Sequence, residues 1–291
     1  MEAFDQVGPN PFTPSVALAP VPAVTGSGAS GGSSTNGLRS VAGTTAGLYG
    51  GSGSQQACDA TTGVNTLADD AAKAQAWVDA LNNDGDLTWS GGSKLAVDDL
   101  PTYVGELTSV IVQSDTRVTD HAYSSGDARA FQAVLQRGTA VMIDKHGVPR
   151  TRCASFGPLT PPTPAGSPKY RGTEWDGFDK TKLVVVTPGS REAETFRLVD
   201  IHTHKSIEVF AGQNCICDRT TQGSTTTTTT EFFDQETTTS TTSKTGRTTT
   251  TIKRPTSTTA RPATTVTTTP PSTTPSSTTS TTSSSVTQPA G

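Results

Sequence analysis

The sequence predicts an α+β domain, with two short N-terminal helices packed on a mostly antiparallel sheet built from β-hairpins, and with disordered termini. Helix-periodic apolar residues occur early, at about 66–81, which predicts the helices. Short runs of strand-favouring residues, bounded by turn residues, follow from about 110 to 210 and predict the hairpins. Both ends are so polar that they bury too little apolar surface to offset chain entropy, which predicts disorder.

The two helices are predicted from apolar spacing and from capping residues. A first helix at about Thr66 to Leu81 carries one apolar stripe of residues three and four apart. Asp69 and Asp70 fall in its first turn, where carboxylates complement the helix dipole. A second short helix is predicted at about Asp99 to Leu107, with Pro101 at an early position that tolerates proline.

The predicted sheet is organised around one segment, Phe131 to Cys153, which we call the ribbon. Thr139 to Ile143 is a strand-favouring run, and Asp144 to Gly147 fits a four-residue turn. The return strand, Val148 to Cys153, contains Pro149, which has no amide to donate. This strand is therefore expected to lie at an edge of the sheet or to begin outside the ladder.

Side-chain alternation completes the interpretation of the ribbon. Arg150 and Arg152 share one face of the return strand, and we interpret that face as solvated. Residues Ala128 to Gln136, ahead of the first strand, are predicted to form a short helix or a loop. Apolar runs predict further strands at Val110–Val112 and Leu183–Thr187, and a second hairpin from Phe196–Ile201 and Ser206–Phe210.

Composition divides the chain into three parts. Residues 1–46 are predicted to be an extended arm and linker rich in proline, glycine and serine. Residues 47–218 form the single α+β domain. Residues 219–291 are dominated by threonine, serine and proline, which predicts a disordered stalk or tail of the kind that is often O-glycosylated outside the cytoplasm. A plain flexible tail without sugar is the alternative.

Charge and hydropathy exclude several classes of partner. The net charge of −4, with scattered basic residues, argues against nucleic-acid binding. No apolar run approaches the roughly 20 residues that span a bilayer, and the start of the sequence lacks the apolar segment of a signal peptide. We therefore expect a membrane connection only through a segment absent from this chain.

Four cysteines favour an exported domain with two disulfides: Cys58, Cys153, Cys215 and Cys217. Four cysteines allow three connectivities, of which Cys58 with Cys153 is preferred here. Cys215 and Cys217 could then close a small, strained ring. The alternative is a set of free buried thiols in a cytoplasmic protein.

The most polar cluster inside the predicted domain is the candidate ligand-binding group. It contains Asp115, Arg117, Asp120 and His121. These residues offer acid–base or ligand-binding chemistry, whereas an ion pair between Asp115 and Arg117 is the structural alternative. No phosphate-binding loop, dinucleotide fingerprint or nucleophile elbow occurs, so neither a cofactor nor a catalytic residue is predicted.

A zinc site is a weaker possibility, with His202, His204, Cys215 and Cys217 as ligands. Two nitrogen and two sulfur ligands suit structural zinc. The H-x-H and C-x-C spacing is not that of a standard zinc finger, however. The alternative is a hairpin turn with exposed histidines beside a disulfide or a pair of thiols.

An ordered series of motifs resembles a known family. The motifs are Gly8-Pro9-Asn10-Pro11-Phe12-Thr13, Gly47-Leu48-Tyr49-Gly50-Gly51 with Cys58, Asp115 to His121, and the ribbon with Pro158-Leu159. Over about residues 2 to 210 the chain resembles a domain of unknown function found in exported or surface-tethered proteins of actinobacteria. The resemblance implies an export signal or anchor ahead of the first motif, so that this chain begins near the start of a mature region.

One departure from the family pattern bears on the disulfides. The family tends to carry R-C-x-C at the end of the ribbon, whereas this chain has Arg152-Cys153-Ala154-Ser155. The resemblance therefore implies that Cys153 pairs with Cys58, and it leaves the role of Cys215 and Cys217 open. The family has no assigned activity, so it implies no catalytic residue.

These observations together predict an extracellular or cell-surface binding or structural module on a flexible stalk. Its partner is an unidentified protein or a ligand of the cell envelope. The alternative function is an exported hydrolase that uses Asp115, Asp120 and His121.

Overall fold

The computed structural model describes residues 1–18, 33–35, 38–164 and 168–212, all within the first of two compact units, Met1–Thr228. The helices are α1 (Ala60–Ala68), α2 (Ala71–Asn82) and α3 (Leu100–Gly105). The strands are β1 (Ser33–Thr35), β2 (Leu38–Ala42), β3 (Tyr49–Gly51), β4 (Thr108–Val112), β5 (Thr116–Ser124), β6 (Asp127–Leu135), β7 (Ala140–Ile143), β8 (Pro149–Arg152), β9 (Gly157–Thr160), β10 (Val184–Thr187), β11 (Thr195–Asp200) and β12 (Ser206–Phe210).

The strands join in the order β1-β2-β10-β5-β9-β8-β7-β4-β3-β11-β12, and β6 pairs with β5 beside this path. Within the described residues, β10 runs parallel to β2 and β5, and β11 runs parallel to β3. The other pairs are antiparallel. The predicted α+β class with a mostly antiparallel sheet is confirmed. Three strands precede the helices among the described residues, so the helices are not clearly N-terminal as predicted.

The predicted first helix is in fact two helices. Asp70 has an extended backbone and its carboxylate accepts a hydrogen bond from the amide of Lys73 at 3.1 Å, which caps α2. Asp69 is the C-cap residue of α1. Apolar periodicity missed the break because the buried stripe continues across it, from Leu67 of α1 to Trp77 of α2. The second predicted helix is confirmed as α3, preceded by a 3-10 turn at Val97–Asp99.

Two hydrophobic cores lie on opposite faces of the sheet. The first contains the inner faces of the helices together with Ile111 of β4 and Met142 of β7. The second contains the alternate residues Val110 and Val141, with side chains from strands near both ends of the strand order. A flat sheet could not bring those ends together, so the sheet curves around the second core. Strands β4 and β7 are buried on both faces.

The first strand and the turn of the ribbon are confirmed. The Asp144 carboxylate accepts from the amides of His146 and Val148, both at 2.9 Å. Gly147 has a φ of 77° and its Cα lies against Gly43, where a Cβ would meet backbone atoms at 2.2 Å. Only glycine fits this position.

The return strand departs from the prediction. Strand β8 lies between β7 and β9, so it is not an edge strand, and Pro149 is tolerated as its first residue. Arg150 and Arg152 do not form a solvated face, because their side chains are about 1% exposed. Residues 128–136, expected as helix or loop, belong mainly to strand β6. Leu183–Thr187 and the second hairpin are confirmed as β10 and as β11 with β12.

Both buried arginines have carboxylate partners from distant parts of the chain. Arg150 bonds the carboxylates of Asp84, after α2, and of Asp144, at 2.7 Å from Nε. Arg152 bonds the carboxylate of Glu2 at 2.5 Å, and its Nη2 donates to two carbonyls of the N-terminal segment. Strand β8 thus connects the ribbon to the helices on one side and to the N-terminus on the other.

The N-terminal segment packs onto this body. Phe12 and Val16 belong to the first core, and Glu2 forms a parallel bridge with Leu135 at the end of β6. Residues 38–42 form β2, inside the sheet. The segment predicted as an arm therefore contributes core residues and a strand. The predicted tail, 219–291, lies outside the described residues.

The preferred disulfide is confirmed. Cys58 and Cys153 are bonded, with their Cα atoms 5.7 Å apart and a separation of 95 positions in sequence. Cys58 precedes Asp59, the cap of α1, and Cys153 follows β8. The bond therefore joins the first helix to the end of the ribbon. Cys215 and Cys217 lie outside the described residues.

Candidate functional site

Strand β5 carries three of the four predicted site residues. Alternation sends its odd-numbered side chains, Arg117, Thr119 and His121, to one face and Asp120 to the other. The register with β6 and β9 fixes these positions, because Thr119 is opposite Gln132 on one side and Thr160 on the other. The predicted cluster is therefore divided between two faces.

Asp115 lies just before β5 and makes its own contacts. Its carboxylate accepts from the amide of Arg137 at 2.8 Å and from the indole of Trp175 at 3.0 Å. Burial raises the pKa of Asp115, and these two hydrogen bonds oppose the rise. Among the described residues, no ion pair forms between Asp115 and Arg117. The carboxylate therefore contacts the loop between β6 and β7 and the loop that precedes β10.

Asp120 faces the interior beside Arg152. One carboxylate oxygen lies 3.7 Å from Nη1 of Arg152, and the other accepts from the amide of His121 at 2.7 Å. Burial raises the pKa of Asp120 to about 7, although Arg152 and the His121 amide favour the charged form. Glu2, which shares Arg152, adds to the rise. Asp120 is thus part of a buried charge network rather than of an open site.

His121 lines an open groove. Its Nδ1 lies 2.8 Å from the carbonyl of Pro158. A carbonyl only accepts, so Nδ1 carries the proton and Nε2 remains a hydrogen-bond acceptor in the neutral ring. Burial lowers the pKa of His121, with the Pro158 hydrogen bond opposing the decrease, which favours the neutral form near pH 7.

The groove has a volume of about 540 Å³ and lies between the end of α2 and the β5–β6 hairpin. Small residues of α2 and β6 form its walls, including Ala76, Ala80 and Ala130. Its polar groups come from elements far apart in sequence: Asp79, Asn83 and Asp84 at the end of α2, Thr119 and His121 of β5, Asp127 of β6, and Thr160 and Thr163. In the part of the chain that the structure describes, no lysine or arginine lines it.

The acidic end of the groove was not predicted from the sequence. Asp79 is exposed at the polar side of α2 and accepts from the side chain of Gln75 at 2.8 Å. Asn83 is the C-cap residue of α2. These are common roles for surface residues of a helix, and nothing in their local pattern indicates that a strand some 40 residues later lies opposite. Of the described residues that line the groove, His121 is the one that the sequence predicts as a site residue.

Arg117 lines a second cavity of about 380 Å³, on the same face of β5. Gln132 separates the two cavities. Its amide donates to the hydroxyls of Thr119 at 2.8 Å and Thr163 at 3.3 Å, and its carbonyl oxygen accepts from the amide of Thr163 at 3.0 Å. The predicted site residues Arg117 and His121 thus belong to adjacent but distinct cavities.

The two histidines of the zinc alternative lie at the β11–β12 turn. His202 and His204 are exposed, and the Asp200 carboxylate organises the turn by accepting from the amides of His202 and Thr203. In the part of the chain that the structure describes, no three potential ligands group together to hold a metal. The two cysteines of this alternative lie outside that part.

A family model described as a domain of unknown function, DUF6777, matches residues 39–212. The match covers more than half of the chain, from β2 to the residues just after β12. The chain belongs to this family. No curated protein and no solved structure matches the chain. The match confirms the predicted resemblance to a domain of unknown function, over residues 39–212. This range includes β5, the ribbon and the residues that line the groove.

Proposed function

We propose that this DUF6777 protein is an exported or cell-surface binding module, and that its ligand occupies the groove beside α2. The groove itself carries the proposal. It is open, about 540 Å³ in volume, and lined by residues of the sheet and of a capped helix. Concave sites with a few convergent polar groups are the usual places for ligands.

The lining favours an extended ligand that carries an amine. Asp79, Asp84 and Asp127 contribute carboxylates, and no basic side chain of the described residues lines the groove, although Arg150 pairs with Asp84 and the exposed Arg129 pairs with Asp127. Alanine, glycine and threonine walls leave room for a chain rather than a bulky ring. A lysine-bearing peptide, from a protein or from the cell envelope, has this chemistry.

Export is supported by two features. The Cys58–Cys153 disulfide is of the kind that persists in oxidising compartments. The Thr/Ser/Pro composition of residues 219–291 is typical of stalks outside the cytoplasm. No helix among the described residues is long and apolar enough to cross a membrane.

The hydrolase alternative has less support, because Asp115, Asp120 and His121 diverge instead of facing one open volume.

The test is a titration of the ¹⁵N-labelled protein with the N-acetylated and C-amidated peptides Ala-Lys-Ala and Ala-Glu-Ala, in which the side chain of the central residue is the one charged group, followed by NMR. We expect amide shifts at Thr119, His121 and Asn83, and no shifts with Ala-Glu-Ala. Asp79→Asn should weaken Lys-peptide binding several-fold, because it removes a carboxylate from the groove. Asp98→Asn, at an exposed carboxylate outside the groove, is the matched control. Equal binding of the two peptides, or an equal loss in both variants, would show that the groove is not an amine site.

A second experiment tests the location. Cells that produce the natural gene product are fractionated, and free thiols are alkylated before lysis. We expect the protein outside the cytoplasm with Cys58 and Cys153 protected from alkylation. Recovery in the cytoplasm with both thiols modified contradicts export.

A further inference from the structure

The second cavity on β5 contains a feature that the proposed groove does not explain. It is bounded by the N-terminal segment, by β6 and by residues 168–171, and Arg117 forms part of its wall. The Arg117 residue is 4% exposed. Its one described hydrogen bond runs from Nη2 to the carbonyl of Thr163 at 3.4 Å, which is long for a charged donor.

Arg117 differs in this respect from the other buried arginines. Arg150 and Arg152 each have carboxylate partners within 3 Å. Over the described residues, no carboxylate lies within 4 Å of the Arg117 guanidinium. A buried charge without a countercharge is costly, and a guanidinium offers five donors. The protein therefore holds, at the wall of an open cavity, a guanidinium that has no carboxylate partner among the described residues.

The surroundings reinforce the positive charge. Lys169 and Arg171 line the same cavity, are exposed, and take part in no ion pair within the described ranges. The one acidic residue in the lining, Glu2, is held by Arg152 at 2.5 Å. Among the described lining residues, three cationic side chains thus accompany one carboxylate that is already paired.

We infer that this cavity is a binding site for an anionic group, a carboxylate or a phosphate, and that Arg117 is the main residue that binds it. The planar fork of arginine matches both groups with two parallel hydrogen bonds. Lys169 and Arg171 add charge at the entrance, and the Gln132 side chain lies beside Arg117 in the lining. Phe131 and Tyr170 supply apolar surface for the body of a ligand.

The inference stands independently of the proposed groove. The Gln132 side chain, bonded to Thr119 and Thr163, lies between the two cavities. The cavities also differ in charge, since the groove is lined by carboxylates and this cavity by cations. Failure of the amine-bearing peptide to bind the groove would leave the anion site untouched.

The test measures binding of two probes, sodium benzoate and inorganic phosphate, to the whole protein at constant ionic strength. The Nε–Hε signal of Arg117 in ¹⁵N NMR reports the contact directly. We expect saturable shifts of that signal with at least one probe, and the stronger probe identifies the source of the anion. Arg117→Met should weaken binding about tenfold or more, because it removes a charge-assisted hydrogen-bond donor.

Stability distinguishes a ligand-binding arginine from a structural one. Without probe, Arg117→Met should be as stable as the wild type or more stable, because the substitution removes a buried charge that forms no described ion pair. Arg152→Met is the matched control and should be strongly destabilised. A strongly destabilised Arg117→Met, or wild-type and Arg117→Met proteins that bind both probes equally or not at all, would overturn the inference.

Discussion

Arg152 of strand β8 bonds the carboxylate of Glu2 across 150 residues of sequence, with Nη1 and Oε2 2.5 Å apart. Both side chains are almost fully buried. The pair fixes the N-terminal segment against the ribbon, and Asp120 of β5 lies within 4 Å of the same guanidinium. One arginine therefore joins three parts of the chain that are distant in sequence.

Arg152→Met should lower the free energy of unfolding by about 3–5 kcal/mol, because it leaves the Glu2 carboxylate buried without a partner. Urea denaturation measures the effect. The exposed pair Arg197–Glu208 provides the control, and Arg197→Met should cost less than about 1 kcal/mol. Adding Glu2→Gln to Arg152→Met should restore part of the stability. Equal costs for the two arginine variants would contradict the structural role of Arg152.

The raised pKa of Asp120 makes stability depend on pH in a defined direction. Between its unfolded pKa of about 3.9 and its folded pKa of about 7, the folded protein binds the extra proton, so stability falls as pH rises. At about 1.4 kcal/mol per pKa unit, the loss by pH 8 amounts to about 4 kcal/mol. Asp120→Asn should remove this part of the slope.

The comparison of the wild type with Asp120→Asn isolates this effect. His121 acts in the opposite direction, because its lowered pKa makes stability fall as pH decreases below about 6.5. The His121 contribution is common to both proteins and cancels in their difference. We expect Asp120→Asn to exceed the wild type in stability at pH 8 and to approach it at pH 4.5. Parallel curves over that range would refute the assignment.

Loss of the Cys58–Cys153 bond should destabilise the domain. The bond closes a loop over 95 residues, and removal of a native disulfide costs about 2–5 kcal/mol in the chain-entropy description. The double variant Cys58→Ser and Cys153→Ser, followed by thermal unfolding, measures the loss. The wild type treated with reductant should unfold at a similar temperature to the variant. If the double variant is as stable as the oxidised wild type, the disulfide does not contribute to the stability of the domain.

Asp70→Ala should destabilise the protein by about 1 kcal/mol, because it removes the side-chain cap of α2. Asp69→Ala, one residue earlier, is the control. Asp69 closes α1 through its backbone amide, which the substitution keeps. Chemical denaturation of both variants tests whether two helices meet here. Equal and small effects would favour one continuous helix.

Much of the fold could be predicted because the signals are local. The turn at Asp144 to Gly147 needs a hydrogen-bond acceptor at its first residue and a positive φ at its last. Aspartate and glycine at these two positions meet both requirements, so the four residues predict the turn. The β11–β12 hairpin and strand β10 are predicted from short runs of strand-favouring apolar residues. The helix break at Asp70 was missed because a cap and a first-turn carboxylate look the same in sequence.

The candidate site was less predictable. His121 was found because it lies in a conspicuous polar run, but the run is a strand whose alternation separates His121 from Asp120. The acidic residues at the end of α2 become partners of β5 only through the packing of the helix on the sheet. No residue spacing encodes that contact.

By itself, the sequence determined the α+β class, the position of the ribbon and its turn, and the preferred partner of Cys58, since each depends on local backbone preference or on a small set of pairings. Tertiary structure alone decided the role of the arginines. Arg150 and Arg152 are buried because carboxylates from distant elements converge on them, whereas Arg117 is buried with no carboxylate of the described residues beside it. An isolated strand shows only which side chains share a face. Whether that face meets water, a countercharge or an open cavity depends on elements brought together by folding.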